Sequence, residues 1–153
     1  MGKIMLELKI ESLFNIMEEM NLLTEQHYQE ITLYKDKVKL NPDWEVYKRA
    51  EDNKQFFLFT ARIDGELVGY SAFFLKPHLH YKDILVGSND VLFLKKEHRS
   101  GSTGIKLLRY SEQKMKEFGA NKITWHVKYS NDFRPILHRM GYADEDSIVG
   151  KML

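Results

Sequence analysis

Two groups of residues in this sequence could do chemistry. Between Arg99 and Gly104 the chain reads Arg-Ser-Gly-Ser-Thr-Gly, small and polar with one full positive charge. It follows a short apolar run, Val91 to Leu94, and leads into an amphipathic stretch that ends near Phe118. A strand feeding a helix through such a turn leaves several backbone N–H groups unpaired at one point, backed by the positive end of the helix dipole. That suits a phosphate or a diphosphate. The second group is titratable: Asp90, just before the apolar run, and His78 and His80 on either side of Leu79. If that segment is extended the two imidazoles share a face, where they could relay a proton or hold a metal ion. No third ligand lies nearby, so a base or a substrate contact ranks ahead of a metal site. The alternatives are a turn-forming aspartate and a pair of surface histidines in a loop after Pro77.

The elements that must position these groups can be read from the hydrophobic period. Residues 3–10 alternate apolar and charged, a half-buried strand. The period then changes to helical over Glu11 to Met20 and again over Thr24 to Tyr34, the second stretch carrying His27 and Tyr28. Asn41-Pro42 signals a further helix, Asp43 to Asp52, with Trp44 and Tyr47 on it. Phe56 to Ile63, the turn residues Asp64-Gly65 and the return from Glu66 make a hairpin, stopped at Pro77. Asp90 to Leu94 is a fourth strand, and a helix from about Ser102 to Phe118 ends at Gly119. A strand at 122–129 follows, with Trp125 and Val127 on one face and His126 and Lys128 on the other. A short helix, Asn131 to Met140, and a last strand, Ile148 to Leu153, complete the order β-α-α-α-β-β-β-α-β-α-β, an α/β fold with a mixed sheet.

The composition narrows the function classes. A chain of 153 residues suits one domain, 1–153, with one core. Its 23 basic and 22 acidic residues give a net charge of +1, which disfavours a protein built to neutralise nucleic-acid phosphates. With no cysteine, disulfides, thiolate metal sites and a cysteine nucleophile are excluded. The longest apolar stretch, near Val68 to Leu75, is too short to cross a membrane, and the N-terminus has no signal-peptide core, so the expected location is the cytoplasm.

Arg99-x-x-x-x-Gly104 between strand and helix, with Ser130-Asn131 and the helix-closing Gly141-Tyr142 further on, resembles the GNAT superfamily of acyl-CoA-dependent N-acyltransferases. The resemblance spans nearly the whole chain and is most specific over 90–142. The family pattern is Arg/Gln-x-x-Gly-x-Gly/Ala; here Ser102 stands at the middle glycine and Gly101 lies one place earlier. Asp43-Trp44, Asp64-Gly65, Gly69-Tyr70 and His78-Leu79-His80-Tyr81 are similar, more narrowly, to small GNAT-like proteins of tailed bacteriophages, which would place the chain in a host cytoplasm.

The resemblance implies a mostly antiparallel mixed sheet, splayed between strands 4 and 5, that holds acetyl-CoA. Phe93, Leu94 and Lys95 would meet the pantetheine arm and thioester, Arg99, Ser100, Gly101, Ser102, Thr103 and Gly104 the diphosphate, and Ser130 and Asn131 the cofactor from the closing side. His27, Tyr28 and Trp44 fall on the early helices that line the acceptor side, although a core role comes first for Trp44. Acyl transfer to an amine also needs a proton acceptor, for which His80, Asp90 and His78 are the candidates in that order. The tyrosine with which the family protonates the leaving thiolate is Leu137 here. The leading expectation is direct transfer of acetyl to a small-molecule or protein amine. The rivals are a phage enzyme modifying a nucleobase or host protein, and a non-catalytic module, monomeric or homodimeric, that binds CoA or a partner. Another phosphate-bearing nucleotide is disfavoured, because the chain lacks Gly-Lys-Ser/Thr.

Overall fold

The computed structural model describes residues 2–153. Five strands form one sheet in sequential order: β1 (Leu6–Glu11), β2 (Phe56–Ile63), β3 (Glu66–Pro77), β4 (Leu85–Leu94) and β5 (Lys122–Thr124). The first four are antiparallel neighbours, and β5 joins β4 in parallel. Helices α1 (Met17–Ile31) and α2 (Trp44–Asp52) precede the β2–β3 hairpin, α3 (Thr103–Glu117) connects β4 to β5, and α4 (Arg134–Arg139) follows β5. The parallel pairing follows from that crossover, since a strand returning through a helix re-enters the sheet in its original direction.

Alternation along the strands makes two cores. Tyr70, Ala72, Phe56 and Leu58 point to the side covered by α1 and α2, where they meet Met20 and Leu23. Phe59, Phe73, Val68 and Leu75 point to the opposite side and pack on Leu107 and Met115 of α3. Phe59 and Phe73 are 0% exposed and Tyr70 1%, and full burial of each such side chain stabilises by roughly 1.5–3 kcal/mol. One buried cation interrupts this apolar scheme. Arg62, 8% exposed, is bound by Glu11 at 2.9 Å and Glu19 at 2.7 Å, which ties β2 to β1 and α1.

Several boundaries differ from the periodicity. The two early helical stretches are not separate helices. A single turn of 3-10 helix, Leu13–Asn15, is followed by the unbroken α1. Ser12 caps the short turn by accepting from Phe14 N–H at 3.3 Å, and no Gly or Pro between Met20 and Thr24 interrupts the second helix. Strand β4 begins at Leu85 rather than Asp90, because Gly87, Ser88 and Asn89 carry turn-like chemistry yet are fully paired to β3. The strand at 122–129 is regular only to Thr124, and Ile148 to Leu153 is no strand at all. Ile148 and Val149 are 82% and 95% exposed, and the edge they would join offers only three paired residues.

Candidate functional site

The site is organised by one irregularity in β4. Ala72 of β3 pairs with Val91, but Phe73 pairs with Asn89, so Asp90 is an extra residue in the ladder. A bulge of this kind bends the strand and re-aims side chains. Asn89 holds it in place. Its side chain is 2% exposed and donates from Nδ2 to the carbonyls of Ala72 at 3.1 Å and Val91 at 3.0 Å. The β4–β5 pairing covers only Val86 to Ser88 against Lys122 to Thr124. From the bulge onward, therefore, β4 has no neighbour on that side, and a wedge opens between it and the chain after β5.

The direction of the β4 backbone groups follows from the ladder. Lys95 N–H donates to Val68 O at 2.9 Å, towards β3. Alternation then sends Phe93 towards β3 as well, and Leu92 and Leu94 into the wedge. Arg99 Nε, which donates to Leu94 O at 2.6 Å, reaches it from the open side. Of the residues expected from the sequence, Leu94 thus offers its backbone to the wedge, whereas Phe93 and Lys95 do not. Lys95 Nζ is in turn bound to Glu66 at 2.7 Å. By the same alternation the backbone of Leu92 faces the wedge. The signal for it was the pairing register, which no spacing in the sequence contains.

At the end of β4 a short 3-10 turn, Lys96–His98, leads through Arg99 into α3. The amides of Ser100, Gly101 and Ser102 make no hydrogen bond among the described residues, and those of Thr103 and Gly104 lie in the first helical turn, where no intrahelical acceptor exists. Ser102 supplies no side-chain cap. A Cβ on Gly101 would meet nothing within 4 Å, and one on Gly104 only Leu94 Cδ2 at 3.6 Å, so the protein itself leaves this cradle open. Five free or first-turn amides at a helix start fit a diphosphate.

Arg99 does not add the free charge that its position suggested. Its guanidinium is bidentate to Glu30 near the end of α1, at 2.6 and 2.9 Å, and lies 5.5 Å from the Phe93 ring centroid. With the bond to Leu94 O, the side chain ties α1, β4 and the turn together. Those hydrogen bonds and that charge hold the Glu30 carboxyl below its usual range.

On the α1–α2 side the bulge aims Asp90 at helix α2, where Tyr47 donates to its Oδ2 at 2.6 Å. Asp90 stays accessible at the wedge, yet the protein around its carboxyl desolvates it and raises its pKa, opposed by the Tyr47 bond and by His126. His126 follows β5, so a histidine and a carboxylate flank the wedge. Desolvation and the same bond push the Tyr47 phenol far above its ordinary value. His27 of α1 stacks on Phe93 at 5.1 Å and shares a 2.8 Å hydrogen bond through Nδ1 with the Tyr70 hydroxyl. Burial, then the charge of Lys128, lowers its pKa to about 4, so the ring is neutral at pH 7.

Most of the remaining sequence candidates lie outside this wedge. Tyr28 donates to Val38 O at 2.5 Å and so fastens the α1–α2 connection rather than facing an acceptor. Trp44 is half-buried in the first core, 5.9 Å from the Tyr47 ring. His78 and His80 sit in the β3–β4 connection, beyond the pair Pro77–Leu85, at the end of β4 opposite the phosphate-type turn. The fully extended pattern is broken there: His80 N–H folds back onto His78 Nδ1 at 3.0 Å. Neither histidine is placed beside Asp90. Ser130 and Asn131 are exposed in a 3-10 turn between the wedge and α4. Leu137 is 4% exposed and part of the packed interior. His138 is held by Asp144 at 2.8 Å and Tyr142 by Glu112 at 2.8 Å.

Comparisons agree with this architecture. The family model described as Acetyltransferase (GNAT) family matches residues 12–142. A search of curated protein sequences gives no match. Among solved structures, an aminoglycoside acetyltransferase from an uncultured soil metagenomic sample superposes with a TM-score of 0.73 at 16% identity, over 97% of this chain and 98% of its own. The ribosomal-protein-alanine N-acetyltransferase of Brucella melitensis biovar Abortus gives 0.70 at 18% identity, over 96% and 99%. A predicted acetyltransferase from Clostridium acetobutylicum, solved with acetyl-CoA, gives 0.69 at 15% identity, over 97% and 96%. At such identities the structures speak for the fold. The family match, which covers the bulged strand, the unpaired amides and the wedge beside them, makes the chain a member of the GNAT acetyltransferase family, with acetyl-CoA as its acyl donor.

Proposed function

We propose that this acetyltransferase modifies the amino group of a small molecule, with Asp90 as the base. The observation that carries this reading is the bulge at Asp90, which sets a desolvated carboxylate at the mouth of the wedge next to the outward-facing backbone of Leu92 and Leu94. Acetyl-CoA in the wedge supplies an activated acyl group. Ser100, Gly101, Ser102, Thr103 and Gly104 would hold its diphosphate through backbone N–H groups, with Ser130 and Asn131 across from them. Leu92 and Leu94 present strand amides to the arm, one of them a donor for charge developing on an acyl oxygen. Asp90 accepts the proton that an ammonium must lose before its nitrogen has a lone pair. His126 on the opposite bank offers a second acceptor for that proton. No side chain is needed to protonate the leaving sulfur, since a thiol of pKa about 8.5 departs as thiolate near neutral pH. The small-molecule acceptor is supported by the aminoglycoside acetyltransferases among the similar structures. No helix among the described residues is long and apolar enough to cross a membrane, in keeping with an aqueous acceptor.

Calorimetry with acetyl-CoA and CoA tests the donor site: both should bind, and Gly104→Trp should abolish binding. Thiol release with a panel of amines tests the transfer, and Asp90→Asn should lower kcat by about 10²–10⁴-fold. A protein that binds CoA yet releases no thiol with any amine would be a non-catalytic module.

A further inference from the structure

The two histidines of the β3–β4 connection are left over by this mechanism, and they line a cavity. It measures about 380 Å³ and lies between the ends of β3 and β4, walled by Phe74, Lys76, His78, His80, Val86 and Ser88. Phe74 pairs with Ser88 and Lys76 with Val86, so these four side chains share the face of the sheet on which α2 packs. The cavity lies on the side of the sheet to which Asp90 turns. Its Phe74 wall lies 5.7 Å from the ring of Tyr47, which binds Asp90, and Ser88 is two residues before Asp90 on the same strand.

The polar groups of this cavity are all donors or neutral. Lys76 makes no ion pair among the described residues and holds its ammonium 5.3 Å from the Phe74 ring centroid. His78 Nδ1 accepts from the His80 amide, which leaves Nε2–H as the group that His78 can donate. No acidic side chain lines the space. An acceptor with several ammonium groups would meet repulsion here. We propose that this cavity binds the far end of the acceptor and that the group it takes is a carboxylate, bound by Lys76 with His78 as second donor, while the amine reaches Asp90. The Lys76 ammonium stands by Phe74, whose partner Ser88 is two strand residues from Asp90, and that rise plus a side chain sets the separation of amine and carboxylate at roughly 7–10 Å. This rests on the acetyltransferase reading of the wedge and adds the class of acceptor.

Three six-carbon amines of matched length test it: 6-aminohexanoate, hexylamine and 1,6-diaminohexane. Thiol release should favour 6-aminohexanoate over both others by about tenfold in kcat/KM, the worth of one charge-assisted hydrogen bond. Lys76→Gln should erase that preference, bringing 6-aminohexanoate and hexylamine to similar kcat/KM. Binding is read separately from the imidazole NMR signals of His78 and His80 in the CoA complex. 6-Aminohexanoate should shift them saturably in the parent protein and not in Lys76→Gln. Equal shifts with hexylamine, no shift with 6-aminohexanoate, or an unchanged response in the variant would overturn the proposal. Failure of acetyl-CoA to bind in calorimetry would count against the donor site instead, because the imidazole signals judge the cavity without turnover.

Discussion

The Asp90–Tyr47 pair sets what the proposed base can do. Desolvation by the surrounding protein raises the Asp90 carboxyl, although the residue stays accessible, and the 2.6 Å bond from Tyr47 pulls it back towards the charged form. Tyr47→Phe leaves desolvation less opposed, so the acid limb of kcat/KM against pH should move to higher pH with the plateau largely kept. An unshifted limb would mean that another group titrates. Asp90 itself was visible in the sequence as one of three candidates, because an acidic residue before an apolar run is easily seen. Tyr47 was read only as an aromatic on a helix. Nothing in a spacing of forty-three residues shows that its hydroxyl ends on that carboxylate.

At the scale of elements, the bulged β4 and its turn depend on contacts from both flanks. Gly69 is the β3 residue opposite Leu94, where an added Cβ would stand 2.8 Å from both Phe93 O and Leu94 Cδ1. The carbonyl cannot move without unpairing the ladder, so Gly69→Ala should cost about 1–3 kcal/mol in urea unfolding and weaken CoA binding. On the other flank, Glu30 neutralises Arg99 at the edge of the amide cradle. Glu30→Gln keeps the shape of the contact but frees the positive charge. Affinity for CoA by calorimetry should rise several-fold at low salt, and the gain should shrink as salt is added. An unchanged affinity would show that Arg99 serves only to fasten α1 to the turn.

For the whole molecule, acid should loosen the fold through His27 and the Arg62 network. The His27 pKa of about 4 lies below its unfolded value of 6.5, so between those values the unfolded chain binds the proton first. Stability is therefore full above pH 6.5 and declines towards pH 4, by up to about 3 kcal/mol for the whole shift. His27→Phe should flatten that part of a stability profile measured by urea melts. Burial pushes Glu11 up, but Arg62 and Thr60 outweigh it and hold it below 4.5, and Arg62 does the same for Glu19. Their contribution is present above pH 4.5 and fails below it, so a second decline should follow the first.

Much of this protein is written in local sequence: the period of the first strands, the cap at Ser12, the Asp64-Gly65 turn, and the strand–turn–helix that leaves amides free at Ser100 to Gly104. These depend on residues within a few positions of one another, which is why the α/β class, the mixed sheet and the family could be read before any coordinate. Tertiary structure alone decided the rest. It turned Leu92 rather than Phe93 into the wedge, tied Arg99 to Glu30, brought Tyr47 to Asp90 and sent the two histidines to the far end of β4. Each of those outcomes is set by strand register or by a contact between distant elements. A one-residue bulge reverses which side every following group faces, and composition carries no trace of it.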